Sequence, residues 1–343
     1  MNSPTISIVT CSYNTDLNIL RKSLLSLKRQ KYPQAKLQHI VMDGGSTNGS
    51  SNLFKLFRST VVVRPDLLTK PQVRMSLGIA QATGELVLLL EPDNILPNSN
   101  WLQQMIKPFQ DNERVVGAFS IYNSYDKTMP LLTKYCALIG ANDPTLYYLN
   151  KLEKLPRFKK YYDKGEILCE TKDYYLVKFD HENLPTLGDN GHIVRRSLIQ
   201  KVNRNPEKFI HTDVFVELLE QGYDTYGVVK NSIIHYTGLN ILHLFERRTD
   251  IKEKFYNARR RERKYLVFNP GWPKDWVNLF RFVIFSLTFV QPLMVSLRGL
   301  LVVPERAWFL HPVVCFIAVL SYTQSELGLR LAQVKSKLKK LFL

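Results

Sequence analysis

Short apolar runs alternate with helix-period segments along the first ninety or so residues. Ile6 to Cys11 is a β-rich run followed by Ser12-Tyr13-Asn14, and Thr15 or Asp16 can cap what comes next. Leu17, Leu20, Leu24 and Leu27 recur at helical spacing as far as Gln30, and Tyr32-Pro33 ends that helix. His39 to Met42 reads as a second strand, and Leu53, Leu56 and Phe57 as a short helix. Thr60 to Val63 reads as a third strand, followed by a helix from about Pro71 to Ala82. The run Leu86 to Leu90 is continuously apolar, which fits a strand buried on both faces. This βαβαβαβ order predicts an α/β fold with a mostly parallel, doubly wound sheet.

Candidate chemistry lies where the last of these strands ends. Glu91 and Asp93 stand just past its carboxyl end, with Pro92 between them. That edge is where open α/β sheets bind ligands. Hard divalent cations prefer oxygen ligands and bridge to phosphate oxygens, so a carboxylate pair here points to a metal-held, phosphate-bearing substrate. A solvated turn is the competing reading. Asp43-Gly44-Gly45 after the second strand permits a tight turn with exposed backbone N–H groups.

Composition changes the picture at the other end of the chain. The 343 residues carry a net charge of +17, and the basic residues are uneven. Clusters at Arg247–Lys264 and Arg330–Lys340 flank the most apolar stretch. That placement favours anionic lipid over nucleic acid. Val277 to Val303 and Ala307 to Tyr322 are apolar around a Pro304-Glu305-Arg306 link, which predicts a membrane helical hairpin over 277–325. Re-entrant or interfacial helices are the alternative. The hairpin would follow a catalytic unit of residues 1–240, divided near 120, and a basic juxtamembrane segment, 241–276; a basic tail, 326–343, would follow it. Both basic flanks would be cytosolic. Cys11, Cys136, Cys169 and Cys315 form no CxxC pattern and read as reduced thiols, and the N-terminus does not read as a signal peptide.

Between these ends the signals are weaker. Val115 to Tyr122 reads as a strand, Pro130 to Leu149 as helices, and Asn150 to Tyr162 as a Lys-rich surface excursion. A turn-rich loop, Thr186 to Gly191, precedes His192 to Arg196. His211-Thr212-Asp213 then opens a helix pattern, and His235 ends a strand.

ISIVTCSYN, SLLSLKRQKYP, IVMDGGSTNGS, RPD and LGIAQATGE, in this order, resemble a family 2 glycosyltransferase with the GT-A fold. The resemblance implies an inverting transfer from a nucleotide-sugar donor to a lipid-linked or glycan acceptor, with Mg2+ or Mn2+, at the cytosolic face of the cell membrane. It further implies roles for single residues. Thr10, Cys11 and Tyr13 would line the nucleoside, and Asp43 would read the base. Glu91 would lie near the ribose, Asp93 would bind the metal, and Arg74 would meet a phosphate unless it is an ordinary exposed helix residue. Pro130 to Leu149 would line the acceptor pocket, and the Gly188 to Gly191 loop would lie beneath the sugar. Asp213 matches the catalytic base, with His211 as its nearest competitor. His235 would be a further metal ligand or phosphate contact. Glu91-Pro92-Asp93 and His211-Thr212-Asp213 depart from the family's usual acidic motifs, so a catalytically dead membrane scaffold is a rival. A nucleotidyltransferase is another, although CSYNTD lacks the Gly-rich basic loop it needs.

Overall fold

In the computed structural model, residues 3–188, 190–238, 240–253 and 262–341 are described. The strands are β1 (Ile6–Ser12), β2 (Leu37–Asp43), β3 (Thr60–Val63), β4 (Leu86–Leu90), β5 (Asn94–Ile95), β6 (Gly117–Ser124), β7 (Glu166–Glu170), β8 (Tyr174–Lys178), β9 (Asn190–Arg195) and β10 (Thr225–His235). The helices of the catalytic part are α1 (Leu17–Lys28), α2 (Ser50–Leu56), α3 (Pro71–Ala80), α4 (Trp101–Asp111), α5 (Leu131–Ile139), α6 (Thr145–Tyr148), α7 (Arg196–Val202) and α8 (His211–Glu220). The tail holds α9 (Leu244–Ile251), α10 (Pro273–Thr288), α11 (Val290–Val302) and α12 (Leu310–Leu341).

The sheet runs β3-β2-β1-β4-β9-β6-β10-β8-β7, with β5 on β10. The first four strands are parallel, as the pattern predicts. Their alternation sends side chains into two cores. Ile6, Ile8, Leu86 and Leu88 pack with α4, whereas Val9, Cys11, Val87 and Leu89 pack with α3 and α8. This explains why Leu86–Leu90 is apolar throughout. Asp16 caps α1, accepting from the Asn18 and Ile19 N–H groups. Strand β9 enters antiparallel between β4 and β6, pairing Leu90 with Asn190 and Leu89 with His192. It thereby carries a late segment of the chain to the carboxyl edge of β4.

One expectation is corrected. Residues 151–156 are buried rather than a surface excursion. Their lysines are accommodated because Lys154 pairs with Glu153 at 2.9 Å and Lys151 Nζ donates to Glu182 O at 2.8 Å. Lys154 also lies over the Phe119 ring and Lys151 over Trp272. In the tail, the stretch expected to form a hairpin consists of a bent pair of helices and one long helix. α10 and α11 bend by 84° at Phe289, whose φ of 61° breaks the helix. Among the described residues the bent pair α10–α11 is long and apolar enough to cross a membrane when taken together, and one helical stretch, Arg306–Lys335, is so by itself. Its inner face is nevertheless hydrogen-bonded to the catalytic unit. His311 meets Tyr135 Oη at 2.8 Å and Tyr148 Oη at 3.1 Å, and Tyr322 bonds Asp143. Leu132, Tyr135, Phe158, Leu244, Val295 and Trp308 share one core.

Candidate active site

The β4 edge is built around Asn94. Its side chain is fully buried, accepts the Glu91 N–H at 3.2 Å and donates to Asn190 Oδ1 at 2.9 Å. This bonding sets a tight turn through Pro92 and ties the edge to β9. Asp93 is held by its backbone, whose carbonyl accepts from Tyr236 N–H at 3.0 Å. Its carboxylate stays 30% exposed, and Oδ2 lies 3.6 Å from His235 Nε2. Sequence reasoning had singled out both residues, and the fold brings them together. Among the described residues no group of three His, Cys, Asp or Glu side chains converges on a metal position. A two-donor set still fits a cation shared with substrate, because Mg2+ takes one or two carboxylates, phosphate oxygens and waters. An oxygen of Asp93 and a ring nitrogen of His235 suit Mn2+ as well.

The donor half surrounds the carboxyl ends of β1 and β2. Arg74 is buried, not an exposed helix residue. Its Nη1 donates to Ser12 O at 2.7 Å, while the buried Nε has no partner among the described residues. Gly44 makes room for this guanidinium, since a Cβ there would overlap Arg74 Nη1. Asp43 has no exposed surface. Its Oδ1 accepts the Gly45 and Ser46 N–H groups at 2.7 and 2.6 Å, and its Oδ2 accepts Ser51 Oγ at 2.6 Å. In this conformation it shapes the turn instead of facing a ligand. Thr10 is likewise turned inward, tying β1 to β4 through Leu90 O at 2.8 Å. Cys11 is buried against Pro71 O. Of the three residues expected to line the nucleoside, only Tyr13 is exposed, at 45%. Glu91 is half-buried beside Asp93.

The first turn of α8 closes the other side. Asp213 is buried, and its carboxylate is ringed by donors. Oδ1 accepts from Arg263 Nε and Tyr265 N–H, both at 3.1 Å, and Oδ2 from Lys264 N–H at 3.0 Å. Two residues earlier, His211 is half-exposed. Its N–H reaches Gln72 Oε1 at 2.9 Å, and its Nδ1 lies 3.1 Å from the same oxygen. Beneath it, β9 carries His192, a buried ring packed on Phe119 and Phe215. Burial, with Lys154 and His211 nearby, pushes His192 well below the usual imidazole range. Asn94, Asn190, Gln72 and Arg263 had not been singled out. A neutral amide or a tail arginine gives no local signal of a partner fifty or more residues away.

The family model described as "Glycosyl transferase family 2" matches residues 7–200. A curated protein, glycosyltransferase AglE of Haloferax volcanii, is 29% identical over 106 residues, which cover 29% of this chain and 34% of AglE. The match thus spans about a third of that protein's length. Among solved structures, the mannosyltransferase PcManGT of Pyrobaculum calidifontis has a similar fold at 13% identity and a TM-score of 0.50, covering 93% of this chain and 87% of its own. TarS 1-349 of S. aureus aligns at 15% identity and a TM-score of 0.46, covering 96% and 92%. The mixed sheet and its flanking helices are the GT-A arrangement, and with a family match across more than half of its length the chain belongs to glycosyl transferase family 2.

Proposed function

We propose that this glycosyltransferase moves a sugar, with inversion, from a nucleotide-sugar donor to a hydroxyl of a lipid-linked or glycan acceptor at a membrane surface. The observation that carries the reading is the accessible Asp93–His235 pair at the carboxyl edge of β4. The solved PcManGT, alike in fold, is in complex with GDP-Man and Mn2+. Here Asp93 and His235 would hold Mg2+ or Mn2+, which when bound offsets charge on the departing diphosphate. Arg74 supplies an unused Nε–H and a fixed positive charge at the end of β1, suited to a phosphate oxygen. Tyr13 and the turn built by Asp43 offer a surface for the nucleoside. The first turn of α8 supplies the base, with Asp213 and His211 as its two ionisable members. One displacement from the face opposite the diphosphate inverts the anomeric centre. The test is calorimetry with a panel of GDP- and UDP-sugars. Binding that depends on Mn2+ in the natural chain should be lost in Asp93→Asn, and equal affinity in the variant would sink the assignment.

The membrane part of the proposal rests on the outward faces of α10 and α11. Trp276, Phe280 and Leu287, then Met294, Leu297 and Leu301, are exposed, Phe280 by 67% and Leu301 by 87%. Apolar faces this large mark interaction surfaces. The basic flanks at Arg247–Lys264 and Arg330–Lys340 complement an anionic, cytosolic leaflet. The purified chain should float with vesicles containing anionic lipid and stay behind with neutral ones at moderate salt. No flotation with either would remove the membrane from the reading.

A further inference from the structure

We propose that Arg157 and Arg298 bind the phosphate of an acceptor carried by a membrane lipid, and that this contact brings the acceptor to the sheet edge that holds Asp93 and His235. The inference rests on the glycosyl-transfer reading and names the acceptor within it.

Arg157 is placed by a turn. Lys159 N–H donates to Pro156 O at 2.9 Å, which makes Arg157 and Phe158 its central residues, and Arg157 N–H donates to Leu138 O on α5 at 2.8 Å. The half-buried guanidinium lies over the Tyr122 ring, 4.7 Å from its centre. Tyr122 belongs to β6, whose parallel register with β10 sets Ser124 beside Ile234. One residue further along β10 is His235, beside Asp93. Neighbouring strands lie about 5 Å apart, so the end of β6 borders the Asp93–His235 edge directly. Burial raises the pKa of both the Tyr122 and Tyr125 hydroxyls, and the Arg157 charge partly offsets it in each.

The lysines around this point have acids, and the two arginines do not. Lys134 pairs with Glu305 at 3.3 Å, and Lys159 pairs with Asp163. Among the described residues, the Arg157 and Arg298 guanidinium groups each meet an aromatic ring and make no ion pair or hydrogen bond. Stacking fixes the plane of a guanidinium and leaves its N–H edge to an oxygen ligand. That edge matches two phosphate oxygens at once. A neutral glycan would leave both charges unmatched, so the pair favours an anionic acceptor.

Arg298 links this point to the apolar face of the tail. Its guanidinium lies 5.0 Å from the centre of the Phe158 ring, the residue after Arg157. On α11 it stands one turn after Met294 and next to Leu297, both exposed on the outward apolar face. The outward face of α11, Arg298, the Arg157–Phe158 turn and the end of β6 are thus successive neighbours. A lipid whose chain lies along α11 has its phosphate at the two arginines and its sugar beyond them, toward Asp93 and His235. The phosphate of a bulk membrane lipid and free phosphate share this chemistry, and the experiment separates them from the acceptor.

The experiment titrates farnesyl phosphate into the full chain in neutral-detergent micelles, with farnesol, inorganic phosphate and phosphatidylglycerol as separate arms. Farnesyl phosphate should bind, and the other three should bind far more weakly. Arg157→Gln should weaken farnesyl phosphate roughly ten- to a hundredfold, the scale of a hydrogen bond to a charged group. Arg298→Gln, at an exposed position, should weaken it less. Arg157→Lys keeps the charge without the fork and should recover only part of the affinity. Arg114→Gln, before the opposite end of β6, should change nothing. Melting temperature and Mn2+-dependent binding of GDP- and UDP-sugars should be unaltered in all four variants. An Arg157→Gln chain that melts normally and binds farnesyl phosphate as the natural chain does overturns the proposal and leaves the transfer reading standing. So does inorganic phosphate or phosphatidylglycerol that binds as tightly as farnesyl phosphate. A natural chain that binds neither sugar nucleotide nor farnesyl phosphate overturns both.

Discussion

The edge of β4 and the first turn of α8 each present an aspartate, and the two are held in opposite ways. Asp93 is fixed through its backbone, and its carboxylate is left partly exposed beside His235. Asp213 is fixed through its carboxylate, inside a ring of donors drawn from residues 263–265. A carboxylate positioned mainly by its main chain keeps most of its lone pairs for a ligand, and among the described residues that of Asp93 accepts a long bond from Asn94 Nδ2, at 3.4 Å. One that positions other groups has few left to offer. The same distinction divides the donor half, where Asp43 builds a turn and Arg74 keeps an unused N–H. Acidic residues at motif positions are therefore not held alike.

The sharpest test of this contrast is stability. Asp213→Ala removes the carboxylate that accepts from buried Arg263 and from the Lys264 and Tyr265 N–H groups. Breaking a buried pair from one side costs about 3–5 kcal/mol. Denaturant unfolding of the natural chain and the variant should show a loss of that size. Asp93→Asn, at a partly exposed position, should stay within about 0.5 kcal/mol. If the two variants unfold alike, Asp213 is not the anchor described here.

The sequence carried the donor half well and the contrast poorly, for physical reasons. Strands β1 to β4 follow one another with short crossovers, so their apolar runs and the intervening helical periods are local signals. Strand Leu86–Leu90 and the carboxylates after it were readable for that reason. β9 was harder, because its place between β4 and β6 is set by pairing about a hundred residues apart in sequence. Residues 151–156 misled because lysine reads as solvent-facing, and only the paired partners Glu153 and Glu182 O make their burial tolerable. In the tail, the docking contacts were the part that was hard to read. His311 and Tyr322 look like incidental polar residues in an apolar helix, yet they dock α12 on Tyr135, Tyr148 and Asp143. The site follows the same rule: Asp93 and His235 were visible, whereas Gln72 and Arg263 act only through distant partners.

The smallest effect expected is at Glu91, and it refines the reading of the β4 edge. Glu91 is half-buried one residue before Pro92, and its backbone N–H bonds Asn94. Glu91→Gln preserves that backbone bond and nearly the same shape. Stability should change by less than about 0.5 kcal/mol. If Glu91 meets the ribose, a hydrogen bond to a neutral amide replaces one to a carboxylate, and the difference is about 1 kcal/mol or somewhat more. Donor affinity measured with Mn2+ should then fall by less than about tenfold, with the metal requirement unchanged. A loss as complete as that of Asp93→Asn would mean that both carboxylates hold the cation. The accessible carboxylate at this edge would then be a pair, and the contrast with α8 would be wider than one residue against one.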